Sequence, residues 1–237
     1  MNTLIALVGA GEYLETMDPV DKHLLANAPN APARVVCVPT AAGDEGEASF
    51  NRWAGMGLAH FTRLGAAAEC ARIIDRASAD DPRWANLLEA ADLIYFSGGD
   101  PLYVYRTIAG TRAWEAVQKA LARGAVYAGC SAGAMMLGHS VPDVRSADLA
   151  LYPAFNLVPN ALILPHFDLI ESFRPGLTAL LQSQLSDGQY GLGIDEHTAL
   201  VGRVGEPWQV LGAGTVSFIT RDSIVVHRTG QSVGLPI

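Results

Sequence analysis

Short apolar runs alternate with amphipathic stretches along the chain, and this alternation constrains the fold more than any other feature. The four clearest runs are Leu4–Val8, Val35–Val38, Leu93–Phe96 and Ala125–Tyr127. Continuous apolar runs of this length are typical of strands that are buried on both faces of a sheet. Between them, Asp81 and Pro82 can open one helix, while Thr111 and Gly124 can bound another. The pattern predicts an α/β fold, a three-layer sandwich with a mostly parallel central sheet.

The C-terminal forty or so residues have a different pattern. The segments "TALVGRV", "WQVLGAG", "TVSFIT" and "SIVVHRT" are short and are separated by glycines and by a turn at Arg221-Asp222. They predict an antiparallel β meander appended to the parallel sheet. No segment is rich enough in linker residues to separate domains, so we expect residues 1–237 to form a single domain. Exposed strands of the meander could pair between two copies, which would give a homodimer.

Composition excludes several classes of protein. The net charge of −8 and the absence of a basic run argue against nucleic acid as a partner. No apolar segment is long enough to predict a membrane span, and the N-terminal apolar stretch is expected to be a first strand and not a signal peptide. Cys37, Cys70 and Cys130 are scattered and odd in number, which favours a reducing compartment, here the cytoplasm, over disulfides or a zinc site.

The sequence "GCSAG" at residues 129–133 follows a predicted strand and matches G-x-S-x-G. This motif turns a strand sharply into a helix, so the residues two positions from its centre must lack bulk. A centre at Cys130 would put Ala128 and Ala132 at those positions, whereas a centre at Ser131 puts glycines there. Ser131 is therefore the candidate nucleophile. The alternative to a catalytic role is that the small residues of the motif merely allow the end of the strand to pack closely against a helix. Cys130 is expected to be a buried, inert thiol.

A second glycine pair, Gly98 and Gly99, ends the predicted strand at Leu93–Phe96 and precedes a helix. Free amides at such a turn can face an anion, and parallel strands end at a common edge, so this turn is a candidate oxyanion contributor. By contrast, "VGAGEY" lacks the third glycine of a dinucleotide fingerprint, because position 14 is Leu14. No cofactor or metal is predicted.

A serine hydroxyl needs a general base, and His166 is the best candidate. It ends the apolar segment "ALILP", where functional side chains gather, although a structural histidine at a strand end remains the alternative. His23 and His60 are expected in helices, and His227 is expected in the meander. His139 is expected to point away along the short helix after Ser131.

A carboxylate should hold the far nitrogen of the base. Asp195 and Glu196 follow another apolar segment, and the pattern alone does not choose between them. Three further candidates remain open, namely Asp143, Asp148 and Asp168.

These residues together resemble the peptidase E and cyanophycinase family of serine peptidases, which has a class I glutamine-amidotransferase-like fold. The resemblance spans about residues 4–202 and is carried by "GAGE", "FSGGD", "GCSAGAMM", "LPHFD" and "GLGIDEHTALV", in that order. It implies Ser131 as nucleophile, His166 as base and Glu196 as the orienting acid. Some members have been assigned an acid between the serine and the histidine, where Asp143 or Asp148 would fall.

The resemblance also implies an oxyanion hole and a substrate class. The oxyanion hole would use the amides of Gly99, with Gly98 as the fallback, and of Ala132. The substrate would be a small peptide or isopeptide-like amide, and Asp100 and Arg174 are candidate substrate-binding residues. Arg174 could pair with a substrate carboxylate, as an Asp-X dipeptidase would require, and a solvated helix arginine is the alternative.

Two departures from the family pattern argue against cyanophycin as substrate. Pro101 stands where cyanophycinase-like members tend to have glutamine, and Arg174 stands alone where they place several arginines.

Two other functions are compatible with the residues. One is an α/β-hydrolase-type esterase, which needs the chain order Ser, acid, His and would have to use His197 or His227 as its base. The other is a non-catalytic binding module that retains the pocket.

Overall fold

The computed structural model describes residues 3–146 and 150–236. The strands in this part of the chain are β1 (Ile5–Val8), β2 (Arg34–Val38), β3 (Ala67–Cys70), β4 (Leu93–Phe96), β5 (Val126–Cys130), β6 (Ser140–Pro142), β7 (Leu151–Pro153), β8 (Ala161–Leu164), β9 (Tyr190–Ile194), β10 (Thr198–Gly202), β11 (Trp208–Gly212), β12 (Thr215–Ile219), β13 (Ile224–Arg228) and β14 (Ser232–Val233). The α-helices are α1 (Asp18–Ala26), α2 (Glu47–Arg63), α3 (Arg76–Ala79), α4 (Pro82–Glu89), α5 (Pro101–Ile108), α6 (Arg112–Ala122), α7 (Ala132–Met135), α8 (Ile170–Phe173) and α9 (Leu177–Gln184).

The central sheet of the described residues has the strand order β14-β11-β10-β1-β5-β4-β2-β3. Strands β1, β5, β4, β2 and β3 are parallel, and β10, β11 and β14 continue the sheet antiparallel to their neighbours. The four apolar runs correspond to β1, β2, β4 and β5. Strand β5 extends three residues beyond the predicted run, to Cys130, because its small residues pair with β1 and β4 on either side.

Helices cover both faces of the central sheet, as predicted. Successive residues of each strand point to opposite faces, so alternate side chains enter two different apolar clusters. On one face, Leu24 of α1 and Phe61 near the end of α2 pack with Val35 and Tyr95. On the other face, the helices from α4 to α7 pack against residues such as Phe96. Each fully buried side chain of this size stabilises the fold by about 1.5–3 kcal/mol relative to exposure.

A second sheet has the order β13-β12-β9-β8, in which β8 and β9 are parallel. The antiparallel C-terminal strands are confirmed, and they are divided between the sheets: β10 and β11 join the central sheet, whereas β12 and β13 join the second. The chain changes sheets at Gly212, whose φ of 102° and contact with the His197 carbonyl leave no room for a side chain. The second sheet carries the segments that lead to His166 and Glu196.

The two predicted helix starts differ in how they are capped. The Asp81 carboxylate accepts a hydrogen bond from the Arg83 amide at 2.8 Å, as an N-cap should. Thr111 precedes α6 as predicted, but its hydroxyl donates to the Ile108 carbonyl at 2.7 Å. Helix α6 therefore begins without a side-chain cap, because that hydroxyl is used by the preceding turn.

Candidate active site

Ser131 lies at a strained turn between β5 and α7. Its backbone has φ 48° and ψ −110°, outside the regions that L-residues normally occupy, and its amide donates to the Val8 carbonyl at 2.9 Å. Such a conformation costs on the order of 1–3 kcal/mol and persists only where the surrounding structure imposes it. The turn presents the Ser131 hydroxyl at the carboxyl-terminal edge of the parallel strands.

The glycines on either side of Ser131 have a steric reason to be glycine. A Cβ atom at residue 129 would lie 2.3 Å from the Gly133 carbonyl oxygen, and a Cβ atom at residue 133 would lie 2.5 Å from the Phe96 carbonyl oxygen. Both obstacles are backbone atoms, which a side-chain rotation cannot move. The close approach inferred from the spacing of the motif is present.

His166 and Glu196 complete a row of side chains that begins at Ser131. His166 follows β8 in a left-handed conformation with φ 51°, and its Nε2 lies 3.2 Å from the Ser131 Oγ. Its Nδ1 lies 2.7 Å from the Glu196 Oε1, and Glu196 follows β9. Because the carboxylate accepts the Nδ1 proton, Nε2 is left to accept the serine proton.

The other predicted acids have different partners. Asp195 accepts two hydrogen bonds from Thr215, at 2.8 Å from its amide and 2.7 Å from its hydroxyl, and so anchors the start of β12. Asp168 accepts the Glu196 amide at 2.9 Å and thereby fixes the backbone that carries the third member of the row. Asp143 accepts the Arg145 amide at 3.0 Å. Asp148 lies outside the described residues.

The amides expected to face an oxyanion are not equivalent. The Gly98 amide donates to the Glu12 Oε1 at 2.8 Å and is therefore engaged. The amides of Gly99 and Ala132 donate to no acceptor in residues 3–146 and 150–236. Gly99 has a φ of 140°, and a Cβ atom there would lie 2.3 Å from the Ala41 carbonyl oxygen. This arrangement favours Gly99 over Gly98 as the free donor.

Glu12 is a residue that the sequence reasoning missed. Its side chain is buried beneath the site, where Oε1 accepts the Gly98 amide and Oε2 accepts the Cys130 thiol at 2.9 Å. Burial, and then the nearby Glu12 charge, raise the pKa of the Cys130 thiol far above its usual value. The thiol is thus a neutral hydrogen-bond donor and a poor nucleophile. The one available signal was a charged residue in the glycine-rich turn after the first buried strand.

The model of peptidase family S51 matches residues 4–206. The chain belongs to peptidase family S51. This confirms the resemblance seen in the sequence and places the chain among the peptidases.

Curated relatives of this S51 chain include two cyanophycinases. That of Geminocystis herdmanii (strain PCC 6308) is 28% identical over 169 residues, which cover 66% of this chain and 60% of that protein. That of Trichormus variabilis (strain ATCC 29413 / PCC 7937) is 27% identical over 157 residues, which cover 62% of this chain and 51% of that protein. The S51 chain thus matches between about half and three fifths of the length of these relatives.

Solved structures resemble the S51 chain over nearly its whole length. A peptidase from an acI-B1 Actinobacterium superposes with a TM-score of 0.90 at 33% identity, covering 99% of this chain and 98% of that one. A putative peptidase E protein from Listeria monocytogenes EGD-e gives a TM-score of 0.63 at 19% identity, with coverage of 96% and 99%. The second likeness concerns the fold alone.

Two depressions adjoin the turn formed by Gly98, Gly99 and Asp100 in the S51 chain, here called the GGD turn. A cavity of about 210 Å³ is lined by Ser131, His166 and Gly99 together with apolar side chains. A charged cleft of about 510 Å³ lies beside Asp100. Asp100 caps α5 by accepting the Tyr103 amide at 2.8 Å, and its other oxygen lies 2.9 Å from the Arg145 Nε.

The second candidate substrate-binding residue is Arg174, which directly follows Phe173. Arg174 is exposed at the C-terminal end of α8 and is not among the residues that line the 210 Å³ cavity.

No group of three or more His, Cys, Asp or Glu side chains within the described ranges is arranged to hold a metal ion. In the same residues, no helix combines the length and the apolar character that a bilayer crossing requires.

Proposed function

We propose that the protein is a serine peptidase that hydrolyses a small peptide or isopeptide-like amide. The observation that carries this proposal is the unbroken row of contacts from the Ser131 Oγ to the His166 Nε2 at 3.2 Å and from the His166 Nδ1 to the Glu196 Oε1 at 2.7 Å. An alcohol, an imidazole and a carboxylate in this order are the arrangement that activates a serine for acyl transfer. Membership of family S51 supports the same reaction class.

In the first half of the reaction, Ser131 attacks the carbonyl carbon of the scissile amide while His166 takes the hydroxyl proton. The carbonyl electrons move to the oxygen, which faces the free amides of Gly99 and Ala132. Loss of one such donor typically costs about 3 kcal/mol of transition-state stabilisation. His166 then gives the proton to the leaving amine nitrogen as the C–N bond breaks, and an acyl ester of Ser131 remains.

In the second half, water replaces the amine. His166 takes a proton from the water as its oxygen attacks the ester carbonyl, and the same two amides face the new oxyanion. The bond to the Ser131 Oγ breaks, and His166 returns the proton to that oxygen. Glu196 keeps its carboxylate charge throughout and stabilises the imidazolium that forms in each half.

The esterase alternative lacks a base near the nucleophile. His197 has its Nδ1 2.9 Å from the Thr16 hydroxyl and packs against Gly11, while His227 lies on the outer strand β13. Neither has a hydrogen bond to Ser131 in the described part of the chain. The geometry therefore favours His166, which comes before the acid in the chain, as the base.

Steady-state hydrolysis of a dipeptide library by four proteins tests the proposal. Ser131→Ala and His166→Ala should each lower kcat/KM by 10⁴-fold or more, because either removal disables the triad as a unit. Glu196→Gln should lower it by about 10⁴-fold, since the amide favours the wrong imidazole tautomer. The wild type should cleave at least one small peptide measurably.

Each alternative predicts a different result in this assay. The esterase predicts near-normal turnover in His166→Ala, and the non-catalytic module predicts no cleavage by the wild type. Cleavage that survives in Ser131→Ala would contradict the proposal directly. Thermal unfolding followed by circular dichroism should give similar transitions for all four proteins, so that lost activity reports on chemistry.

A further inference from the structure

We propose that the preferred substrate carries a large aliphatic or aromatic side chain on a residue flanking the scissile amide. This inference rests on the proposed function, because it concerns the cavity beside Ser131. It differs from the Asp-X preference that the family resemblance implies, and it follows from the lining of that cavity.

The cavity begins at the reacting groups and is otherwise apolar. Gly99, Ser131 and His166 form the side where the scissile carbonyl would lie. Apolar side chains form much of the remaining wall, including Met135, Leu162, Leu164, Ile170, Leu177 and Leu181. A substrate side chain next to the scissile bond therefore has a direct path into this space.

The charge of the lining disfavours an acidic or basic side chain. Among the described residues that line the cavity, His166 is the only one with an ionisable side chain, and it is already paired with Glu196. A carboxylate or guanidinium placed here would lose its hydration without gaining a partner, which is strongly unfavourable. The charged cleft beside Asp100 is a separate depression, and Gly99, Ser131 and His166 are not among the residues that line it.

The size of the cavity matches a single large side chain. Its volume is about 210 Å³. For comparison, an apolar protein cavity of about 150 Å³ is sufficient to bind benzene. A leucine, methionine or phenylalanine side chain therefore fits, and its burial should favour such substrates by about 10- to 100-fold over glycine.

The mouth of the cavity exposes apolar surface that a bound substrate would cover. Phe173 and Val144 both line the cavity, and they are 66% and 50% exposed respectively. The Phe173 ring meets the His166 ring edge-on, with centroids 6.2 Å apart. The Phe173 part of this exposed apolar surface thus lies against the proposed catalytic base.

Two series of dipeptides, X–Gly and Gly–X, test the proposal, with X being Leu, Met, Phe, Asp, Arg or Gly. The two series separate a side chain on the acyl side from one on the amine side. In at least one series, kcat/KM for Leu, Met or Phe should exceed that for Asp, Arg and Gly by at least 10-fold. Preference for a charged residue in both series, or no dependence on X, would overturn the inference.

A variant of the cavity wall makes the test specific. Leu177, which is half-buried at the start of α9, is replaced by arginine, and Leu177→Arg should raise the Asp-to-Leu ratio of kcat/KM by at least 10-fold. The matched control is Leu14→Arg, at a leucine that is 44% exposed and lies outside the cavity lining. This control should keep the wild-type ratio, and an equal shift in both variants would contradict the inference.

Two further comparisons keep the result interpretable. Phe173→Ala removes a largely exposed wall residue that also meets the His166 ring, and it should reduce the apolar preference even if Leu177→Arg does not fold; an unchanged preference would count against the inference. Ser131→Ala separates the two proposals. Cleavage that depends on Ser131 but prefers Asp defeats this inference alone, whereas cleavage that survives in Ser131→Ala defeats the proposed function.

Discussion

Ser131 and His166 both have a positive φ, of 48° and 51° respectively. A positive φ is uncommon for any residue other than glycine, although histidine adopts it more often than serine, so each position costs folding free energy that the surrounding structure must offset. Ser131 is held by its amide bond to Val8 and by the close approach of Gly133 to the preceding strand. These strained backbone conformations point the Ser131 hydroxyl and the His166 ring toward each other.

A methyl group at position 133 should disturb the position of the Ser131 hydroxyl relative to His166. In Gly133→Ala the new Cβ would lie 2.5 Å from the Phe96 carbonyl oxygen, and the backbone must shift to admit it. Overpacking of this kind costs about 1–3 kcal/mol of unfolding free energy, which urea denaturation measures. We also expect kcat/KM to fall at least 10-fold, because the shift displaces Ser131.

The matched control for this change is Gly55→Ala in α2, where nothing lies within 4 Å of the new Cβ atom. It should raise the unfolding free energy by up to about 1 kcal/mol, since alanine favours the helix, and leave kcat/KM unchanged. A Gly133→Ala protein with wild-type stability and activity would contradict the steric role of that glycine.

For single residues, the sequence was informative where local steric constraints determine a residue's role. It was less informative where contacts between distant parts of the chain determine that role. The spacing of two glycines distinguishes Ser131 from Cys130 because the constraint is local. Glu12 was missed because its partners, Gly98 and Cys130, are 86 and 118 residues away in the chain. No local pattern reveals such a contact.

Among the elements, the strands of the central sheet were predictable because they are buried on both faces. The division of the C-terminal strands between two sheets was not, since β11 and β12 have similar short apolar patterns. Similarly, Thr111 has the residue type of an N-cap, but the nearby Ile108 carbonyl takes its hydroxyl. The residue types of a segment predict whether it forms a helix or a strand more readily than they predict which other segments it contacts.

His139 joins two elements, and its contacts predict a pH dependence of stability. The residue lies between α7 and β6; its Nδ1 is 3.0 Å from the Ser140 hydroxyl and its Nε2 is 2.7 Å from the Gln189 side-chain nitrogen, just before β9. Burial lowers the pKa of His139 below its usual 6.5. Between the lowered pKa and about 6.5, the unfolded chain binds more protons, so the unfolding free energy falls as the pH falls through that window.

Urea denaturation at pH 7.5, 6.5 and 5.5 measures this effect. His139→Gln should show a smaller loss of unfolding free energy between pH 6.5 and 5.5 than the wild type. The control, His227→Gln on the outer strand β13, should lose as much as the wild type does. Equal losses in all three proteins would rule out His139 as the source.

Across the whole molecule, the site forms where the two sheets meet. Ser131 follows β5 of the central sheet, whereas His166 and Glu196 follow β8 and β9 of the second sheet. That strand ends would converge was predictable from the apolar runs and the residues that follow them. The sequence did not predict that the converging strand ends belong to two different sheets, because a buried apolar run does not indicate which sheet it enters.

Two expectations at this scale stay predictions. One is that residues 1–237 form a single domain. The other is self-association: β13 is an outer strand of the second sheet, and Ile224, Val225 and Val226 are 43%, 49% and 54% exposed. An exposed apolar edge strand is a surface on which a second copy could pair.

The central claim is that Ser131 is a nucleophile activated by His166 across this junction. Reaction with a fluorophosphonate, followed by intact mass and peptide mapping, tests it without knowledge of the substrate. The wild type should gain one adduct, on Ser131; Ser131→Ala should gain none, and His166→Ala should react at least 10²-fold more slowly. An unlabelled wild type, an adduct on another residue, or equal labelling rates with and without His166 would contradict the account.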